Sequence, residues 1–298
     1  MYNQILANDI SYVDLSEEMG STVSLHVLSD DDNIYHIKLP HSRRNNNLYE
    51  YLAHIIAKEI EAPTPYGCFI VFSRELYEQL RDSIEKQITD IETQKGFRPN
   101  SLDKYLDYLN SELADMNKTD FILFGLSFIE GAVDNLSIEE FEILIDDMSN
   151  LDEFYSLYAF DFYLDNSDRH IKNILIVPHL DNLTIGYLID HDKIFAGKNV
   201  DTSQSNHIDK TLFRCIKNER NRYLYDIIDT ENKYQQIKKY AIEIVNNDNH
   251  KIDKEIDKNL YNIDSKSLEL IKDYFSYRQI NLIDECNSIK ERCYENII

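Results

Sequence analysis

Asp168 and Asn173 stand five positions apart in NSDRHIKN, residues 166–173, and Asp190 follows in YLIDHDKIF. An acid, an amide five residues on, and a second acid beyond a short hairpin form the set that phosphoryl transfer uses. The first acid accepts the proton of an attacking hydroxyl. The amide and the second acid offer hard oxygen ligands to Mg2+ ions that bridge nucleotide phosphates. For Asp168 and Asn173 alone, the competing reading is turn and cap chemistry between a helix and a strand. Asp190 and Lys38 weigh against it.

The same chemistry needs a strand lysine to meet the phosphates and a helical acid to hold that lysine. Lys38 ends the β-like run IYHIKLP, and Glu50 lies twelve residues on, in the first turns of LYEYLAHIIAKEI. Upstream, EEMGSTVSL offers a short turn around Gly20, where Ser21 and backbone N–H groups face a nucleotide. No G-x-x-x-x-G-K-[ST] string occurs, which excludes a P-loop NTPase.

The elements that must position these groups follow from hydrophobic period. STVSLHVLS and IYHIKLP alternate around the polar DDDN and read as a β-hairpin. LYEYLAHIIAKEI repeats at helical spacing, with Asn45–Asn47 as caps, and Pro63 and Pro65 end that helix before the apolar strand CFIVF. Residues 74–118 are polar with helical period, broken at GFRPN, and read as a surface insertion. FILFGLSFIEG (121–131) reads as a buried strand or connector, with Gly125 offering a bend. One or two helices follow, the second mostly apolar, and then NILIV and TIGYLID form a hairpin. Beyond about residue 200 the pattern is helical. The polar burst of 166–173 thus sits on a loop between a buried helix and a hairpin, a usual place for chemistry.

Strands early and helices late predict an α+β fold in segregated halves. We expect a β-rich N-terminal nucleotide-binding lobe over 1–125, carrying the 74–118 helical insertion, and a helical C-terminal catalytic lobe over 126–298. With 298 residues and 43% hydrophobic side chains, the chain can bury a sizeable core and is not of the disordered class. The net charge is −23, and the first 200 residues carry 15 basic against 36 acidic groups. That surface repels phosphate backbones, so no direct nucleic-acid partner is expected. No apolar run reaches membrane-spanning length, and the N-terminus lacks a basic region before an apolar stretch. Four scattered cysteines (Cys68, Cys215, Cys286, Cys293) suit a reducing compartment. A cytoplasmic protein without a membrane partner is the expectation.

The string N-x-D-R-H-x-x-N followed by IDHDKIF resembles the HipA-like kinases, particularly their compact branch. GSTVSL, IYHIKLP, LYEYLAHIIAKEIEAPTP and FGLSFI occur in the order that family shows, so the likeness covers roughly residues 15–200. The DRHxxN and IDHxxxF pair also resembles phosphoinositide kinases. The resemblance implies a two-lobed protein-kinase-like fold and ATP- and Mg2+-dependent phosphorylation of a protein Ser or Thr hydroxyl. It also implies, for bacterial members, the toxin of a toxin–antitoxin pair with an antitoxin partner. It makes Lys38 the phosphate lysine, Glu50 its ion-pair partner, Asp168 the catalytic base, and Asn173 and Asp190 the Mg2+ ligands. Asn166, Arg169 and His170 order the loop, Phe128 and Ile129 pass the base, and Ser21 and Ser24 are candidate autophosphorylation sites. A small-molecule or lipid kinase would share these residues. A non-catalytic nucleotide-binding module would lack one of them.

Overall fold

A computed structural model describes residues 2–14, 23–42, 45–133, 136–166, 169–178, 184–191, 194, 231–246 and 265–295. The chain divides into two compact units, Met1–Tyr51 with Tyr66–Phe128, and Leu52–Pro65 with Ile129–Ile298. Helix and strand are mixed.

The first unit is built on five strands, β1 (Gln4–Asp14), β2 (Ser24–Ser29), β3 (Ile34–Lys38), β4 (Gly67–Ser73) and β5 (Asp120–Ser127). They close into a barrel of order β1-β2-β3-β5-β4, with β1 parallel to β4 and the other pairs antiparallel. Alternation sends Leu25, Val27, Tyr35 and Ile37 into the core. β1 is legible only in this context: its two register shifts against β2 and its half-exposed side chains erase a clean period of two. Gly125 lies within β5 and makes no bend. It leaves room instead, because a Cβ there would come within 3.1 Å of the Ile37 and Ile70 Cγ1 atoms.

Residues 74–118 hold two helices, α2 (Arg74–Lys95) and α3 (Asn100–Leu113), after α1 (Asn46–Glu59). Ser73 Oγ caps α2 by accepting from Leu76 N–H, and Gly96, in the left-handed region at φ 71°, ends it. One stripe of α2 (Leu76, Tyr77, Leu80, Ile84, Ile88) and one of α3 (Leu102, Tyr105, Leu106, Leu109) join the barrel core. Tyr77 stacks on Phe121 at 4.2 Å. Each fully buried Leu or Ile on these stripes stabilises by roughly 1.5–3 kcal/mol. The pair is therefore part of the barrel's own core rather than a surface addition. The polar majority of α2 faces water, and that majority made the segment read as surface.

The second unit contains α4 (Ile138–Asp146), α5 (Leu151–Phe154), α6 (Ser156–Leu164), a 3-10 turn at Ile171–Asn173, the hairpin β6 (Ile174–Pro178) and β7 (Thr184–Leu188), then α7 (Glu231–Asn246) and α8 (Ser265–Glu295). Ser137 and Glu140 form a capping box at the start of α4. α6 is buried on nearly every face between α7 and α8, whose apolar stripes include Ile237, Ala241 and Ile244, and Ile271, Phe275 and Leu282. The hairpin pairs Ile174 with Leu188, and short bridges from Val133 and Met148 extend it on either side. Among the described residues no helix is long and apolar enough to cross a membrane.

Candidate active site

In the first unit, Lys38 closes β3 and is buried, with Nζ 2.9 Å from Glu50 Oε1 on α1. The register of α1 against the barrel is fixed by Asn47. Its Nδ2 donates to the Lys38 carbonyl (3.1 Å) and the Phe124 carbonyl (2.7 Å), and its Oδ1 accepts from Phe124 N–H (2.8 Å). Asn45 Oδ1 caps the helix through Leu48 N–H. In the same unit, Tyr2, Tyr51, Phe69 and Phe124 pack ring against ring at 5.0–6.0 Å. Taking two charges out of water is costly, so a pair this buried persists only where its geometry is fixed. The result is a cation held at a defined point, suited to phosphate oxygens.

In the second unit the predicted loop is organised around an acid that the motif does not contain. Asp161, on α6, accepts from Arg169 through both carboxylate oxygens: Nε to Oδ2 at 2.8 Å and Nη2 to Oδ1 at 3.0 Å. Asn166 Nδ2 donates to the same Oδ1 at 3.0 Å, and Asn166 N–H to the Asp161 carbonyl at 2.9 Å. All three residues are at least 96% buried. Arg169 continues through Nη1 to the carbonyls of Asn173 (2.8 Å) and Ile189 (2.6 Å). One guanidinium therefore ties together α6, the loop and the segment after β7, with a bidentate fork at its centre. A signal for Asp161 existed: it is the only charge in the otherwise apolar SLYAFDFYL, and a buried lone acid requires a cation.

Asn173 and Asp190 are brought together by backbone. Ile189 N–H donates to the Asn173 carbonyl at 3.1 Å while its own carbonyl receives Arg169, so the residue before Asp190 is fixed on both sides. Asp190 has φ 59°, a left-handed conformation that Asp tolerates better than most residues and that is over-represented at functional sites. Asn173 is buried at the end of the 3-10 turn, closed by its N–H on the His170 carbonyl at 2.9 Å. An amide and a carboxylate oxygen donor suit Mg2+, which takes one or two protein ligands and completes its shell with phosphates and water. No group of three or more His, Cys, Asp or Glu suited to a metal occurs among the described residues. His170 is half-buried on the loop, and His191 is buried with its ring edge-on to Phe160 at 5.2 Å.

Phe128 follows β5 with 48% of its surface exposed, and its N–H donates to the Ile34 carbonyl at 2.8 Å. Ile129 is half-buried, and Ser24 opens β2. Asp168, Gly20 and Ser21 lie outside the described residues. Lys38 and Glu50 belong to one unit, and Asn166, Arg169, His170, Asn173 and Asp190 to the other.

No family model matches the sequence, and no curated protein matches it. Among solved structures, the proinflammatory kinase CtkA of Helicobacter pylori superposes with a TM-score of 0.52 at 15% identity, over 92% of this chain and 95% of that one. HipA of Shewanella oneidensis MR-1, solved with HipB and operator DNA, gives 0.42 at 10% identity, over 86% of this chain and 58% of that one. The Rio2 kinase of Chaetomium thermophilum, in an ADP/Mg2+-phosphoaspartate complex, gives 0.33 at 10%, over 80% and 71%. Below 0.5 the last two overlap too loosely to define a fold. The first likeness is one of fold: mixed helix and strand arranged in a kinase-like architecture.

Proposed function

We propose that this chain is an ATP- and Mg2+-dependent kinase of the HipA-like type that phosphorylates a protein Ser or Thr hydroxyl. The observation that carries the reading is the buried Lys38–Glu50 pair at the end of a barrel strand, in a chain whose loop residues Asn173 and Asp190 are joined through Ile189. A buried ion pair is poor value as a source of stability. A fixed cation for phosphates gives it a purpose.

In this reading Lys38 receives phosphate oxygens of the nucleotide, and Glu50 keeps the ammonium in place. Asn173 and Asp190 hold Mg2+, which neutralises charge on the phosphates when bound. Asp168 takes the hydroxyl proton as the acceptor oxygen bonds the γ-phosphorus and the bond to the ADP oxygen breaks. Arg169, through Asp161, Asn173 and Ile189, keeps the loop in register with its ligands.

The test is transfer of radiolabelled γ-phosphate to proteins of a cell lysate. Wild type is expected to label acid-stable Ser or Thr, and Asp168→Ala and Asp190→Ala to abolish labelling while keeping the far-UV spectrum. Activity surviving in either variant overturns the assignment. Label confined to lipid or a small molecule moves it to another kinase class. Toxicity on expression, relieved by Asp168→Ala, supports the toxin role.

A further inference from the structure

β4 and β5 are antiparallel neighbours that a tight turn could join, yet the chain places α2 and α3 between them. The apolar stripe of α3 explains part of this, since Leu102, Leu106 and Leu109 fill the barrel. Tyr105, in the same stripe, is 0% exposed and brings a hydroxyl that a leucine would not. Burying a hydroxyl is costly unless it is hydrogen-bonded. Its partner is the main chain beside the lysine strand: Tyr105 Oη accepts from Val23 N–H at 3.2 Å.

Val23 in turn accepts through its carbonyl from Leu39 N–H at 2.9 Å, and Leu39 directly follows Lys38. The adjacent pair, Ser24 and Lys38, ends the ladder between β2 and β3. One residue before Tyr105, the Lys104 carbonyl accepts from Ser42 N–H at 3.0 Å. The His41 ring lies edge-on to the Tyr105 ring at 5.2 Å. Consecutive residues of α3 therefore hold the chain just before β2 and just after β3. The Lys38 main chain is thus fixed directly by Asn47 of α1, at 3.1 Å, and indirectly by α3 through Val23 and Ser42. A strand end is where a ladder frays. A phosphate lysine at such an end needs ties from outside the sheet, because a displacement of about 1 Å spoils the contact with its ligand.

We propose that Tyr105 is a positioning residue for Lys38: its hydroxyl makes the helical pair α2–α3 a strut that fixes the end of the lysine strand for the phosphates of a bound nucleotide. The proposal rests on the nucleotide-binding reading above and gives the inserted helices a part in that site besides their packing.

Calorimetric titration of the full chain with ATP and with inorganic tripolyphosphate, each with Mg2+, tests it in three variants. Tyr105→Phe keeps the ring in the core and removes only the hydroxyl. It should weaken ATP and tripolyphosphate by the same factor, about 5- to 20-fold, as expected when a charge-assisted hydrogen bond loses its geometry. Tyr77→Phe controls for a merely structural role. It deletes another buried hydroxyl of the insertion, one bonded to Tyr108, and should leave both affinities within about twofold of wild type. Ser42→Pro, at an exposed turn, removes the second tie and should weaken both ligands by about 2- to 5-fold; it carries the test if Tyr105→Phe fails to fold. Equal losses in Tyr105→Phe and Tyr77→Phe overturn the proposal, as does ATP binding weakened with tripolyphosphate unchanged. Unaltered binding in Tyr105→Phe, or in Ser42→Pro where that variant stands in for it, overturns the strut and leaves the kinase reading standing. Wild type that binds neither ligand overturns both readings.

Discussion

Asp161→Ala isolates the organising contact of the loop. The substitution removes the acceptor for Arg169 Nε, Arg169 Nη2 and Asn166 Nδ2. Arg169 is 2% exposed, so its charge stays buried, bonded to the Asn173 and Ile189 carbonyls but without the Asp161 carboxylate. Removing one partner of a buried pair costs about 3–5 kcal/mol, a large share of the roughly 5–15 kcal/mol that keeps a domain folded. Urea unfolding followed by tyrosine circular dichroism should show that loss as a lowered midpoint at unchanged slope. The phosphate-transfer rate should fall by about 100-fold or more, since a displacement on the order of 1 Å at a reacting centre has that effect. Asp161→Ala combined with Arg169→Met should recover part of the stability, because no unpaired charge remains, but none of the rate. In a double-mutant cycle the coupling should exceed about 2 kcal/mol. An Asp161→Ala protein within about 0.5 kcal/mol of wild type, transferring phosphate at the same rate, would refute the reasoning.

Three further outcomes follow from the barrel unit. Gly125→Val should destabilise by about 1–3 kcal/mol or more, read as a lower Tm, because the new Cβ meets Ile37, Ile70 and Tyr35 at 3.1–3.3 Å inside the barrel; an unchanged Tm would show that the core gives way freely. Burial alone would raise the Asp31 carboxyl, but hydrogen bonds from Ser29, Asn33 and Tyr35 outweigh it and hold the group down at about 2. Its contribution is therefore fully present above about pH 4, where the unfolded carboxyl is ionised, and is lost as pH falls through about 2; Asp31→Asn should flatten that part of the stability–pH curve and change nothing at pH 7 beyond a uniform offset. Burial pushes the Cys68 thiol up to about 12, against a side-chain interaction with Tyr35 that lowers it. Iodoacetamide at pH 8 should leave Cys68 unmodified in the native protein and alkylate it in urea, as mass spectrometry reads directly, whereas equal rates in both would place it at the surface.

What the sequence by itself determined is short in range. The β2–β3 hairpin around DDDN, helix α1 with its asparagine cap, strand β4 and the β6–β7 pair are each written in a local period of two or 3.6 and a turn or cap residue. The expectation of chemistry at 38, 50, 166, 173 and 190 came from residue type and spacing in the same way. The tertiary structure decided what depends on partners far along the chain. β1 pairs in parallel with β4, about 65 residues on, and so closes the barrel. α2 and α3 fill its core, although most of their residues are polar and face water. Asp161 becomes the anchor of the loop because α6 is buried on nearly every side, and its carboxylate is met there by Arg169 and Asn166. Periodicity reports which way a side chain points relative to its own element. Which other element lies in that direction is settled only when hydrophobic burial and the pairing of buried charges are satisfied for the whole fold at once.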